Sequence, residues 1–200
     1  MRENWTDTTL GDAVTVQKGK KPPALVASGE SSRPYLTADV LRGATCEQFV
    51  PDELIGPCIQ LDGRETLLLW DGAGAGDVFR SQLGVLASTM AKLVARDPHL
   101  IDDGYLFLFL NSKQATIKAS CRGTTVPHVS PEALTSLRLL LPPLIEQKRI
   151  VDLVSSVDSY IATLQQQADA ARAARSGLLS DLLTGEHKIP DSYDRLFGVT

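Results

Sequence analysis

Arg122-Gly123-Thr124-Thr125-Val126-Pro127-His128-Val129, followed by Leu139-Leu140-Leu141-Pro142-Pro143-Leu144-Ile145-Glu146-Gln147-Lys148-Arg149-Ile150, is the stretch on which the fold turns. A Gly-Thr-Thr turn leads toward a short apolar strand, a di-proline ends it, and from Glu146 the hydrophobic period becomes that of a long helix. Ile150, Val157, Leu164, Ala171 and Leu178 recur every seven residues. Leu153, Tyr160 and Ala174 fill the adjoining position, and Val154, Ile161, Ala168 and Leu182 widen the stripe. Such a band, free of proline, predicts a helix that buries one face against another helix. Small alanines at 168, 170, 171, 173 and 174 permit close approach, and Gln167 is a polar register setter on the seam. Gly185 reads as the C-terminal stop and Pro190 as a break, leaving a short polar tail from Glu186 with Tyr193, Leu196 and Phe197 as its apolar residues.

Upstream of Leu144 the pattern is different. Short apolar runs are broken by Gly, Pro, Asp and Asn, as in an α+β (α/β) domain with short strands. Thr8–Asp12 reads as a strand or cap before Ala13–Gln17, Pro34–Val40 as a strand and turn, and Glu65–Trp70 as a hydrophobic strand entering a glycine loop. Tyr105–Leu110 resembles a core strand, although so short an apolar run equally fits the start of a buried helix; Asn111–Ala119 is expected to be helical. The predicted organisation is a head over 1–145, a helical spacer over 146–185 and a tail over 186–200.

At 200 residues and 43% hydrophobic content the chain is long enough to bury a core. No apolar run approaches the roughly 20 residues of a membrane span, and Met1–Trp5 has no apolar leader, so a cytoplasmic location is expected. Cys46, Cys58 and Cys121 lack ligand spacing, which argues against a zinc site or a disulfide framework. The net charge of −4 is unlike most nucleic-acid binders, but its distribution is uneven. Three windows hold no acid: 13–29 with Lys18, Lys20 and Lys21; 78–96 with Arg80, Lys92 and Arg96; and 104–131 with Lys113, Lys118, Arg122 and His128. They can converge on one positive face, or arise by chance and from buried strands.

One ordered set of motifs carries a resemblance. Trp5…Leu10-Gly11-Asp12, Tyr35…Asp39, Trp70-Asp71-Gly72, Gly123–His128, Leu141-Pro142-Pro143-Leu144…Glu146–Ile150 and Gly177-Leu178-Leu179…Leu182-Leu183-Thr184-Gly185 together resemble the DNA-specificity (S) subunit of type I restriction–modification systems. The resemblance covers essentially the whole chain. It implies a target recognition domain followed by the helical spacer of that family, here as one of each where the typical subunit has two. It further implies a non-catalytic subunit that binds double-stranded DNA and holds no cofactor or metal. S-adenosylmethionine would belong to a modification (methyltransferase) subunit, and a restriction (translocase–nuclease) subunit can join. A single head and rod would pair with a second copy through the helix and read a bipartite target.

Lys18, Lys20 and Lys21, on a loop that Pro22 and Pro23 keep from being helical, are expected phosphate contacts. Arg33, Arg80, Gln82 and Arg122 have the chemistry to read base edges, with surface ion pairing as the plainer alternative. Lys92, Lys118, Thr124 and Thr125 complete the expected DNA-facing set. Leu144, Glu146, Gln147, Arg149 and Ile150 form the junction expected to meet the methyltransferase. His128 can contact phosphate or be a structural histidine.

The loop Asp71-Gly72-Ala73-Gly74-Ala75-Gly76 lacks the Gly-Lys-Ser/Thr of a phosphate loop, and Asp77 takes the third glycine position of a dinucleotide fingerprint. Trp70, Gly72 and Gly74 weakly match a methyltransferase cofactor loop, but no Asn/Asp-Pro-Pro-aromatic motif follows to hold an adenine. Two rival functions therefore stand beside the first. One is a small S-adenosylmethionine-dependent methyltransferase; the other is an assembly or decoy protein that uses the rod without reading DNA.

Overall fold

A computed structural model describes residues 4–27, 30–123, 125–186 and 188. The chain divides between Val151 and Asp152 into two compact units. The first opens with β1 (Thr6–Thr9), α1 (Leu10–Ala13), β2 (Val14–Lys18), β3 (Ser32–Leu36) and α2 (Ala38–Leu41). It continues with β4 (Phe49–Pro51), a 3-10 turn (Asp52–Leu54), β5 (Gln60–Asp62), β6 (Thr66–Leu69), β7 (Val78–Arg80), β8 (Leu83–Leu86) and β9 (Met90–Ala95). Then come α3 (Asp103–Ala119), α4 (Pro131–Thr135), β10 (Arg138–Leu141) and α5 (Leu144–Thr184), the last crossing into the second unit.

Three sheets build the first unit. β2-β9-β6-β7 is antiparallel throughout, β4-β3-β8-β5 contains one parallel pair between β3 and β8, and β1 pairs with β10. The run Thr66-Leu67-Leu68-Leu69 explains how the first two sheets share a core. All four residues are buried, and strand alternation sends Leu68 to one side and Leu67 and Leu69 to the other. Leu68 joins Leu93, Leu106, Leu110, Ile117 and Leu139 beneath α3, whereas Leu67 and Leu69 join Leu36, Val50, Val85 and Met90. Local signals start the helices. Thr9, Thr37, Asp102 and Ser130 each cap one through a side-chain oxygen that accepts a first-turn N–H.

Tyr105–Leu110 is helix, which settles the ambiguity against a strand. Asp102 accepts from Gly104 N (2.8 Å) and Tyr105 N (3.1 Å), starting α3 ahead of the apolar run. Leu106, Leu110 and Ile117 then face the core on helical spacing. The Tyr105 hydroxyl donates to Leu140 O (2.7 Å), tying the helix to β10.

α5 begins in the first unit, after the Pro142–Pro143 stop, and ends in the second, before Gly185, whose φ of 79° suits a left-handed cap. Its 41 residues make a helix about 60 Å long. From Asp152 to Thr184 every residue is exposed except Val154 and Leu182, which are half-buried. The stripe residues Leu153, Val157, Tyr160, Ile161, Leu164 and Leu178 all lie open. Tyr193, Leu196 and Phe197 lie outside the described residues, as does the tail from 189 on. No described helix is long and apolar enough to cross a membrane.

Candidate nucleic-acid interface

Strand register brings distant loops to one rim of the first unit. β2 ends at Lys18 opposite Ala91, β6 ends at Leu69 opposite Met90, and β3 ends at Leu36 opposite Leu86. The loops leaving these ends, Gly19–Pro23, Asp71–Asp77 and Ala87–Thr89, therefore share an edge. Gly19 makes the closest approach: its N–H donates to Met90 O (2.9 Å), and a Cβ there would lie 2.0 Å from Ala87 O. The segment containing Arg122 and His128 joins the same edge. Gly72 N donates to Pro127 O (2.9 Å), Val129 N to Trp70 O (3.0 Å), and His128 bridges both Asp71 and Arg122. Gly123 makes that turn possible with a φ of 99°.

The charges on this rim are unequally committed. Lys18 Nζ sits 2.7 Å from Asp71, and Asp77 holds both Arg42 and Lys118 at 2.5 Å, with Arg42 also 3.0 Å from Asp39. Burial pushes the Asp77 carboxyl up, but hydrogen bonds from Lys118 and Arg42 outweigh it, so its pKa lies below the ordinary value. Lys20 and Lys21 are exposed and have no ion-pair partner among the described residues. Arg122, likewise exposed, makes no salt bridge among them, and Thr125 is exposed on the same segment. Thr124 lies outside the described residues. Arg42 was not legible as a member of this group, because its defining partner, Asp77, is 35 residues away.

The remaining cations expected at DNA gather elsewhere. Register places Arg80 opposite Thr66 and Lys92 opposite Leu67, roughly 10 Å and 7 Å along β6 from the rim. Arg80 donates to Arg64 O (2.7 Å) and Asp103 O (3.2 Å) and lies over the Phe107 ring. Lys92 is paired with Glu65 (2.9 Å), which also accepts from Ser81 Oγ (2.5 Å). Burial opposes ionisation of Glu65, yet the Ser81 and Lys92 hydrogen bonds, together with backbone N–H groups, bring its pKa down to about 2. Arg33 donates to Gln60 (2.8 Å) and lies 3.4 Å from Asp52. Gln82 is exposed beside Leu83 at the end of β7. The three acid-free windows thus do not form one face.

The junction residues also separate. Glu146 accepts from Trp5 Nε1 (3.2 Å), Leu144 and Ile150 are half-buried, and Arg149 is exposed. Gln147 corrects the expectation of a partner contact: it is 0% exposed. Its amide accepts from Asp102 N (2.9 Å) and donates to Leu100 O and Pro142 O (2.8 Å each). It is an internal bracket, with no group left to offer a partner.

The glycine loop closes on itself. Gly74 and Ala75 N–H donate to Gly72 O, Gly76 N to Leu69 O, and Asp77 N to Gly74 O. These four amides, like those of Asp71 and Gly72, are therefore spent on backbone carbonyls, and no row of donors is left to cradle a cofactor. Among the described residues, no group of three or more His, Cys, Asp or Glu has metal-site geometry.

Residues 2–171 match the family model described as the type I restriction modification DNA specificity domain. The chain is 36% identical over 190 residues to the type I restriction enzyme MjaVIII specificity subunit of Methanocaldococcus jannaschii, an alignment covering 93% of this chain and 44% of that protein. It is 32% identical over 192 residues to the putative MjaX specificity subunit of the same organism, covering 94% and 44% respectively. Among solved structures, the S subunit from M. genitalium superposes with a TM-score of 0.60 at 19% identity, covering 90% of this chain and 46% of that one. The HsdS subunit from Thermoanaerobacter tengcongensis gives 0.62 at 19%, covering 83% and 40%. A chain of a type I restriction–modification complex gives 0.70 at 20%, covering 89% and 44%. The chain spans less than half the length of these relatives, and the structural likenesses show the shared fold.

Proposed function

The chain belongs to the type I restriction–modification DNA-specificity family, and from that premise we propose that it reads one half of a bipartite duplex target and pairs through α5 with a second copy of itself. In this reading residues 1–145 are the recognition domain, 146–185 the spacer and 186–200 a tail. Lys20 and Lys21 seat the rim on phosphates, Arg122 is offered to a base edge, and Lys18 and Lys118 contribute as partly neutralised cations. The complex it directs would carry a modification subunit that methylates adenine with S-adenosylmethionine and a restriction subunit that cuts unmodified DNA. Leu144, Glu146 and the exposed Arg149 remain the proposed methyltransferase contacts.

The observation that carries the pairing is the open apolar stripe of α5, where Leu164 is 45% and Leu153 69% exposed. A lone helix gains nothing from such a stripe in water, whereas a facing helix covers it. Charge and size both favour an antiparallel mate of the same sequence. Between Asp152 and Asp169 the acids Asp152, Asp158 and Asp169 occur without a base, and between Ala170 and Ser180 Arg172 and Arg175 occur without an acid. Antiparallel helices crossing at Leu164 set Asp158 near Arg172 of the mate and Val157 and Ile161 near Ala171 and Ala168. A parallel pair would oppose like charges and leave alanine facing alanine.

Two measurements test the reading. Sedimentation across a concentration series should give a dimer mass; a monomer at all concentrations sinks the pairing, unless a different S polypeptide restores it on mixing. Footprinting on a target located by mapping methylated adenines in the host genome should protect two half-sites; a rod that assembles while protecting no DNA favours the assembly-factor reading.

A further inference from the structure

Resting on the proposed DNA-reading rim, we infer that a recess beside Lys21 is a base-reading site for an A·T pair, with Gln48 as the residue that specifies it. The recess has a volume of about 360 Å³ and lies between the basic loop after β2 and the turn joining β8 to β9. Leu25, the Tyr35 ring and Ala87 supply apolar walls, and Gln48, Thr89 and Lys21 supply polar groups. The Gln48 carboxamide, the Thr89 hydroxyl and the Lys21 ammonium have no hydrogen-bond or ion-pair partner among the described residues.

The frame around those free groups is fixed. Gln48 O accepts from Tyr35 N (2.9 Å) and from the Cys46 thiol (3.2 Å), which anchors the backbone beneath the amide. Thr89 O accepts from Trp70 N (2.8 Å) and Asp71 N (3.1 Å). Ser88 N donates to the Tyr35 hydroxyl (2.9 Å), closing the floor. With the backbone pinned, binding has only the side-chain rotamers left to order, which suits these groups to discrimination.

The chemistry selects the pair. A carboxamide offers one acceptor and two donors, the pattern that matches adenine N6 and N7 in the major groove. The apolar wall suits the thymine methyl, which a G·C pair lacks. The recess contains no carboxylate to accept from cytosine N4, and its one cation is Lys21, which the proposal assigns to phosphate rather than to guanine; Glu47 and Asp39 line a separate recess that shares Tyr35, Thr37 and Gln48 with this one. Lys21, next to Lys20 on the loop, seats the adjoining phosphate and carries no sequence information.

The test is selection of a randomised double-stranded DNA library by the full-length chain and by Gln48→Ala, Gln48→Glu and Lys21→Ala variants. The wild type should enrich a motif. Gln48→Ala should flatten one A·T position by about tenfold in preference while leaving the other positions intact. Gln48→Glu should move that position toward cytosine, and Lys21→Ala should weaken all sequences alike. An unchanged motif from both Gln48 variants overturns the assignment, as does a change of base identity caused by Lys21→Ala alone. A wild-type chain that enriches no sequence overturns the DNA-reading proposal beneath it. Gln48 is exposed, so Gln48→Ala removes no packing, and a melting temperature equal to wild type confirms that the variant is folded.

Discussion

Between Leu10 and Leu141 the large side chains close over one another, with Leu67, Leu68, Leu86, Met90, Leu106 and Leu139 at 0% exposure, whereas from Asp152 to Thr184 every residue is exposed except the half-buried Val154 and Leu182. The first region satisfies its polar groups as thoroughly: no buried side-chain nitrogen or oxygen among the described residues lacks a partner. The second holds its shape by helical hydrogen bonds, side-chain propensity and local contacts such as the Arg172–Asp169 pair. One region is thus folded by contacts within itself, and the other leaves open the apolar stripe that the proposed pairing would cover. Stability should follow the first and assembly the second.

That contrast can be broken most severely at the seam. Leu164→Asp introduces a charge at the proposed two-fold centre, and because the dimer carries it twice, pairing should weaken by ~5 kcal/mol or more. Sedimentation should then show monomers, while the thermal transition of the head stays in place. A transition that falls with dimer mass would mean that the head leans on the mate for its fold. Next in size is Leu68→Ala, which empties a fully buried site between β6 and α3 and should cost ~3 kcal/mol in urea unfolding without altering the oligomeric state. Gln147→Ala sharpens the boundary. It strands Asp102 N–H and the carbonyls of Leu100 and Pro142, for a loss of about 2 kcal/mol, although the residue lies on the same helix as the stripe. Equal melting curves for that variant and wild type would remove Gln147 from the head's bracket. The smallest effect belongs to Lys20→Glu with Lys21→Glu. Fold and mass should be unchanged, while the slope of log K against log salt for duplex binding drops by about 2; an unaltered slope takes the loop out of the interface.

The helix was legible because its signal is local. Period, missing prolines and Gly185 lie within one continuous segment, so no distant contact was needed to read Leu144–Thr184. The strand through Leu67–Leu69 was legible for the same reason, whereas Thr8–Asp12, read as a strand or cap, holds both the end of β1 and the Thr9 cap of α1. Tyr105–Leu110 was not, since six apolar residues satisfy either period and the arbiter, the Asp102 cap, precedes the run. The site was harder still. Nothing near Lys92 or Arg80 announces Glu65 or Arg64 O as partners, 27 and 16 residues away, and nothing near Gln147 announces burial against Leu100. Charge windows report where acids are missing, whereas the fold decides which cations remain unpaired. Arg42, Gln48 and Thr89 gain their surroundings only when loops distant in sequence reach one rim.

The pairing of β1 with β10, from Thr6 opposite Leu141 to Thr9 opposite Arg138, has a last consequence. The chain enters and leaves the body of the first unit through neighbouring strands, fastened by the Arg138–Asp7 pair. A foreign unit with the same doorway can be grafted between those two points without rerouting the backbone on either side. Under the proposed function, changes in what is read and changes in how copies are yoked together would be free to evolve on separate schedules.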